Sequence, residues 1–151
     1  MEIHDRYVTP LGKRLIILHR AIIKKIDERA QKMELTATQL RVLGEISRLK
    51  ALGAKEINQR DLERSFRVTH PTMTGILQRL EKKGFVFCRP CETDKRFKNI
   101  DCAKQYADTH RMLAQIDNEA VSELCRGLTP EQIKTFSEIT EIMLKNSEDK
   151  N

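Results

Sequence analysis

Asn58 and Thr69 stand only 11 residues apart, and both are residue types that open helices. Behind Asn58, the stretch Gln59 to Ser65 offers Leu62 and then Phe66 as apolar anchors, with Asp61 in the first turn, where the helix dipole favours an acid. Behind Thr69, Pro71 falls in a first turn, where a missing N–H costs nothing. Met73, Ile76, Leu77 and Leu80 then repeat at helical spacing over 70–83 until Gly84. Two starts this close leave room only for a short helix, the brief connection Phe66-Arg67-Val68 and a second helix, which is a helix-turn-helix corner.

The flanking segments fit around that corner. Residues 10–33 read as a long helix, with Leu11, Leu15, Leu18, Ile22 and Ile26 at steps of three and four. Thr36 and Gln39 make a capping box for a helix carrying Leu40, Leu43 and Ile46 up to the stop at Gly53, and Leu35 can staple onto Leu40. Phe85-Val86-Phe87 and Phe97-Lys98-Asn99-Ile100 read as two strands joined by the polar loop 89–96, a β-hairpin with a charged tip. Residues 103–126 read as one further helix of about 36 Å at 1.5 Å per residue. Its Tyr106, Leu113 and Ala120 form a near-heptad row that either seeks a second subunit or packs on helix 10–33 of the same chain. Thr129 and Gln132 repeat the capping box, with Leu128 facing Ile133, before a last helix through Ile139, Ile142 and Leu144; 148–151 reads as a frayed tail. The expected fold class is mainly α with a small hairpin wing: a winged helix-turn-helix at 35–102, between long terminal helices at 1–34 and 103–151 that serve dimerisation.

On a helical wheel centred on Met73, Ile76, Leu77 and Leu80 lie within about 60° and form the core side of helix 70–83. Pro71, Thr74, Gly75, Gln78, Arg79 and Lys82 take the opposite face, with Thr72 at its edge. Short hydroxyls and a glycine let a helix come close to base edges, and Gln and Arg can make bidentate contacts to adenine and guanine. In the hairpin, Asp94, Arg96 and Lys98 alternate and can project to one side. An acid there can hold the guanidinium in one rotamer, and a preset arginine suits a narrow, strongly negative minor groove.

These pieces, taken in order, resemble the multiple-antibiotic-resistance regulator (MarR) family of winged-helix repressors over about residues 10–145. The likeness is carried by Leu35-Thr36-Ala37-Thr38-Gln39-Leu40, Thr72-Met73-Thr74 and Leu80-Glu81-Lys82-Lys83-Gly84-Phe85-Val86. Asp94-Lys95-Arg96-Phe97-Lys98, similar to the family's D-x-R-x-K wing signature, and Leu128-Thr129-Pro130-Glu131-Gln132 complete it. The resemblance implies a homodimer joined through its terminal helices, with one recognition helix per subunit in the major groove and Arg96, supported by Asp94, in the minor groove. A two-fold dimer of this kind suits a pseudo-palindromic operator with half-sites roughly 34 Å apart. The expected function is a dimeric, sequence-specific DNA-binding transcriptional regulator, a repressor released when a small ligand between the dimerisation helices and the DNA-binding lobe changes the lobe spacing.

Charge agrees with a nucleic-acid partner. The 28 Lys and Arg against 22 Asp and Glu give +6, spread as +5 over 1–57, +5 over 58–104 and −4 over 105–151. The excess in 1–57 has no assigned role. Enzymatic function is not expected, because there is no Gly-rich phosphate loop, no nucleophile with a paired base and no metal-ligand cluster. No cofactor is expected either.

The longest apolar run, Leu15 to Leu18, is far short of the roughly 20 residues a membrane span needs. Residues 1–6 lack the basic-then-apolar order of a secretory signal, so a soluble cytoplasmic protein is expected. Cys88, Cys91, Cys102 and Cys125 then read as free thiols. Cys88-Arg89-Pro90-Cys91 is a C-x-x-C that admits an alternative, a thiol-redox or metal-responsive regulator. A winged-helix protein-interaction module is another, against which Arg79, Lys82 and Arg96 argue. His19 and His110 could flank a ligand pocket. His70, at the start of the recognition helix, could donate to a phosphate and make binding mildly pH-dependent.

Overall fold

The computed structural model describes residues 9–148. In chain order these form α1 (Leu11–Lys32), α2 (Ala37–Ala51), α3 (Gln59–Phe66), α4 (His70–Lys82), β1 (Val86–Pro90) and β2 (Lys98–Cys102). A single turn of 3-10 helix (Lys104–Tyr106), α5 (Thr109–Leu124) and α6 (Pro130–Glu148) follow. Residues 1–6 and all of the expected tail except Glu148 lie outside the described residues.

Reciprocal capping starts three of the helices. Thr36 Oγ1 accepts from Gln39 N while Gln39 Oε1 accepts from Thr36 N, and Asn58 with Asp61 and Thr129 with Gln132 repeat the exchange. Thr69 occupies the N-cap position of α4, but its hydroxyl does not cap; it meets Thr72 Oγ1 at 2.9 Å instead. Pro71 has already removed one of the N–H groups that a cap would satisfy.

One core runs through the chain. Leu40, Leu43 and Ile46 of α2 sit at its centre, with Ile57, Leu62 of α3, Met73 and Leu80 of α4, and Ile100 of β2 around them. Ile26 and Ala30 of α1 join from the other side, against which α5 also packs. Gly44 lets α5 close onto α2, since Leu113 Cδ1 occupies the space where a Cβ at that position would stand. Burial at about 25 cal/mol per Å² of apolar surface is the main source of stability in such a core.

The hairpin is antiparallel, with Val86 opposite Cys102 and Pro90 opposite Lys98. Its strands lie one to three residues further along than the spacing of aromatic residues suggests. The shift follows from three anchors outside the hairpin: Ala103 N donates to Phe85 O, Ile100 N to Ile57 O, and Ile57 N to the Asn99 side chain. The wing base is thereby fastened to the segment that leads into α3.

The stretch 103–126 is not one helix. The 3-10 turn and an N-cap at Asp108 interrupt it, and α5 has 16 residues, about 24 Å at 1.5 Å per residue. Two contacts make the break. Tyr106 stacks on Phe85, ring centroids 4.5 Å apart, and Ser47 Oγ of α2 donates to Ala107 O while accepting from His110 N. Ser47 thus supplies the cap that Asp108 does not. The row Tyr106, Leu113, Ala120 is accordingly not an outward seam: Tyr106 lies off the helix, Leu113 packs on α2, and Ala120 is buried within the chain.

The unpartnered apolar surface lies elsewhere. No residue of α6 is buried, and Ile133, Phe136, Ile139, Ile142, Met143 and Leu144 are all exposed. Leu11, Ile16, Ile17 and Leu18 at the start of α1 are exposed as well. Among the described residues, no helix is long and apolar enough to cross a membrane.

Candidate nucleic-acid interface

The helix periodicity that buries Met73, Ile76, Leu77 and Leu80 turns the rest of α4 outward. Pro71, Thr72, Gln78, Arg79 and Lys82 are exposed, and nothing stands within 4 Å of where a Cβ on Gly75 would be. Thr74 is set differently. Its hydroxyl donates to His70 O (2.9 Å) and accepts from Gln59 Nε2 (2.8 Å), so it is half-buried and engaged by α3.

Gln59 and Glu63 fix the crossing of the two helices. Gln59 Nε2 also lies 2.9 Å from Glu63 Oε1 and 3.0 Å from His70 Nδ1, and Glu63 Oε1 is 2.6 Å from the same ring nitrogen. The Gln59 amide, helped by His70, holds the Glu63 carboxyl below the usual carboxylate range. With Nδ1 turned to the carboxylate and 70% of its side chain exposed, His70 keeps Nε2 for a partner outside the protein.

The wing completes the face. Arg96 lies bidentate on Asp94, whose carboxyl the guanidinium hydrogen bonds hold below its usual range. Arg96 N also donates to Asp94 Oδ1 (3.0 Å), so the acid shapes the loop as well as the side chain. Lys98 opens β2 and is exposed. A groove of about 450 Å³ between α4 and the wing is lined by His70, Thr74, Gln78, Arg96 and Lys98, with Gln59 and Arg60 of α3 at its end. Pro71, Thr72, Gly75, Arg79 and Lys82 lie outside that groove, on α4 itself. Gln59 and Arg60 are absent from the sequence expectation; the tendency of the first helix of such a pair to cross the nucleic-acid backbone would have pointed to them.

Glu56 secures the wing tip from behind, accepting from Glu92 N, Thr93 N and Thr93 Oγ1. Those hydrogen bonds, the Thr93 hydroxyl's foremost, keep its carboxyl below the usual range.

The cysteine and histidine candidates are placed less favourably for chemistry. Cys88 lies in β1 and Cys91 just past its end, three residues on, so they do not share a strand face. Burial pushes the Cys88 thiol up, with Glu81 acting in the same direction. Burial likewise raises Cys91, and Glu56, Asp94 and Asp61 add to it. A raised thiol is a poor nucleophile and a poor metal ligand at neutral pH. Among the described residues, no three His, Cys, Asp or Glu side chains come together as a metal-holding group.

His19 and His110 do not flank a common pocket. His19 is exposed on α1, whereas His110 Nδ1 is 2.5 Å from Ser47 Oγ. His110 lines a cleft of about 490 Å³ with Ile26, Gly44, Glu45, Phe66 and Leu113, at the meeting of α1, α2, α3 and α5. There Arg48 grips Glu45 through two 2.8 Å bonds and holds its carboxyl below the usual range.

Comparison with known proteins agrees with this architecture. Residues 34–96, which hold α2 through the wing tip, match the sequence profile of the MarR family. The chain is 29% identical to the transcription regulator MarR from Oenococcus oeni PSU-1, covering 90% of this chain and 99% of that one with a TM-score of 0.69. It is 24% identical to the reduced form of MarR from E. coli, with 92% and 99% covered and a TM-score of 0.76. The S. aureus MepR–DNA complex matches at 20% identity, 92% and 99% coverage, and a TM-score of 0.77. At these identities the last two likenesses bear on fold alone.

Proposed function

We propose that the chain, whose residues 34–96 match the MarR family and whose fold is that of the MarR transcription regulators, is a dimeric, sequence-specific DNA-binding regulator of the cytoplasm, a repressor released by a small ligand. The observation that carries this reading is the groove between α4 and the wing. There Gln78 of the recognition helix and the Asp94-held Arg96 face the same space. A duplex presented to that side meets α4 in its major groove and Arg96 in the adjacent minor groove. The solved MepR–DNA complex, of the same fold, supports the partner.

The homodimer is supported by the exposed apolar residues of α6 and of the start of α1, an arrangement that a second copy would cover. Two recognition helices on one two-fold axis suit a pseudo-palindromic operator. Release by a ligand is supported by the cleft at His110, which touches α1 and α5 on one side and the first helix of the corner on the other. A ligand that favours one spacing of the two lobes would shift the population away from the DNA-compatible one.

The test is a binding titration with duplexes from the region upstream of the protein's own gene, scanned for an inverted repeat and run across a salt series. The expected result is preference for one fragment over random duplex, with log K falling linearly in log salt. Equal, weak binding to every duplex would count against a sequence-reading role. Light scattering on the free protein should give twice the 17.6 kDa chain mass.

A further inference from the structure

We propose that Arg60 is a duplex-contacting arginine, holding a backbone phosphate at the junction of α3 and the wing. The proposal rests on the DNA-binding reading above and deepens it. Arg60 is the second residue of α3, and its Cζ lies 5.2 Å from the centroid of the Phe97 ring in the wing. The residue is exposed and lines the same groove as His70, Arg96 and Lys98.

Three arginines of this lobe are occupied, whereas Lys98 of the same groove has no carboxylate partner among the described residues. Arg64 is paired with Asp61 at 2.9 Å, Arg48 with Glu45 at 2.8 Å and Arg96 with Asp94 at 2.7 Å. Among the described residues, Arg60 has no carboxylate partner. Asp94 and Glu63 beside the groove are engaged, by Arg96 and by Gln59 with His70, and in its lining Arg60, Arg96 and Lys98 outnumber the one acid, Glu81. Arg60 therefore offers an unspent fork of N–H donors, and the groove presents net positive charge around it.

The stacking decides what that fork suits. A guanidinium held over an aromatic face by cation–π attraction is restrained there while its N–H groups stay free, which fits the oxygens of a phosphodiester. Because the ring belongs to the wing and the guanidinium to α3, the contact also sets the distance between them. The first helix of a helix-turn-helix pair crosses the sugar–phosphate backbone, which brings its outer first turn to the phosphates. The occupant is accordingly a duplex phosphate, read without regard to sequence.

The experiment uses the full-length protein with the preferred upstream duplex and a random duplex over a potassium chloride series. Its variants are Arg60→Ala, Arg60→Gln, Arg60→Lys and Phe97→Leu, each with a thermal melt. Arg60→Ala and Arg60→Gln should weaken both duplexes by about 3- to 10-fold and flatten the salt slope by about one charge. Arg60→Lys should restore the slope but only part of the affinity, since an ammonium lacks the planar fork. Phe97→Leu should keep the slope with a smaller loss.

Wild-type affinity and slope in Arg60→Gln, the variant that preserves side-chain length, would overturn the proposal by itself. Absence of duplex binding by the unsubstituted protein would overturn the DNA reading and this one with it. A final arm adds inorganic phosphate at constant ionic strength. Displacement of duplex at low millimolar phosphate, lost in Arg60→Gln, would assign the groove to a free anion and overturn the duplex assignment.

Discussion

Arg96 is clamped to Asp94 through Nη2 at 2.7 Å from Oδ2 and Nε at 3.0 Å from Oδ1, yet its side chain remains 86% exposed. The pair is a positioning device at the tip of the wing, because the acid restricts the guanidinium without shielding it from a ligand. Arg96→Ala should weaken operator and random duplex alike and flatten the salt slope by about one. Asp94→Asn keeps the cation and frees its rotamer. It should lower the ratio of operator to random affinity by about 3- to 10-fold with no flattening of the slope. Paired salt titrations of the two variants check this, and an unchanged ratio in Asp94→Asn would remove Asp94 from any positioning role.

The two polar residues expected to read bases on α4 should part company. Gln78 is exposed and its amide is free for a base edge, so Gln78→Ala should change the preferred sequence at one position, by about 1–3 kcal/mol of discrimination. The Thr74 hydroxyl accepts from Gln59 and donates to His70 O, so Thr74→Val should instead remove one of the ties between α3 and α4. The expected cost is about 1 kcal/mol of stability with base preference unaltered. Selection from a randomised operator library, together with a urea melt, separates the two outcomes.

Acid should loosen the fold. Glu45 is held low by the hydrogen bonds from Arg48, and Glu63 by those from Gln59 and His70. Carboxyls with depressed folded-state values bind more protons when unfolded, so their contribution is present at neutral pH. It is lost as pH falls through the ordinary glutamate range, about 4 to 5, and below. Urea midpoints should drop between pH 6 and pH 4, and Glu45→Gln should show a shallower drop. A midpoint independent of pH over that span would contradict the role given to these pairs.

The thiols should behave as structural groups. Burial pushes Cys102 up to about 12, and its Sγ lies 3.7 Å from Leu43 O in the core. An unfolded thiol ionises near 8.5, so this group's contribution is intact below that pH and declines between there and about pH 12. At pH 8 the native protein should leave Cys102 unmodified by a thiol reagent and modify Cys88 and Cys91 slowly, with four thiols reacting in denaturant. Mild peroxide should leave duplex affinity unchanged. A large loss of affinity, reversed by a reductant, would restore the C-x-x-C to a sensing role.

What the sequence made legible was local in origin. Thr36 with Gln39, Asn58 with Asp61, and Thr129 with Gln132 close rings of a few residues, so the helix starts can be placed from neighbours alone. The apolar spacing of Met73, Ile76, Leu77 and Leu80 likewise turned α4 the right way. The break before α5 was invisible because Ser47 and Phe85 impose it from afar, and apolar periodicity carries no trace of either contact. The same holds for Arg60, whose place beside the wing depends on Phe97 coming back to it through the hairpin. The Asp94–Arg96 pair was readable because its partners are two residues apart.

A 19-residue helix with no buried residue of its own has a genetic consequence. In the dimer proposed above, another copy would cover α6, and its stability would follow chain concentration by mass action. Every chain that carries α6 then competes for the same partners, whatever the state of its wing. A copy bearing Arg96→Ala would draw wild-type chains into one-armed mixed dimers and act as a dominant-negative allele. The same substitution in a chain lacking residues 130–148 would be recessive.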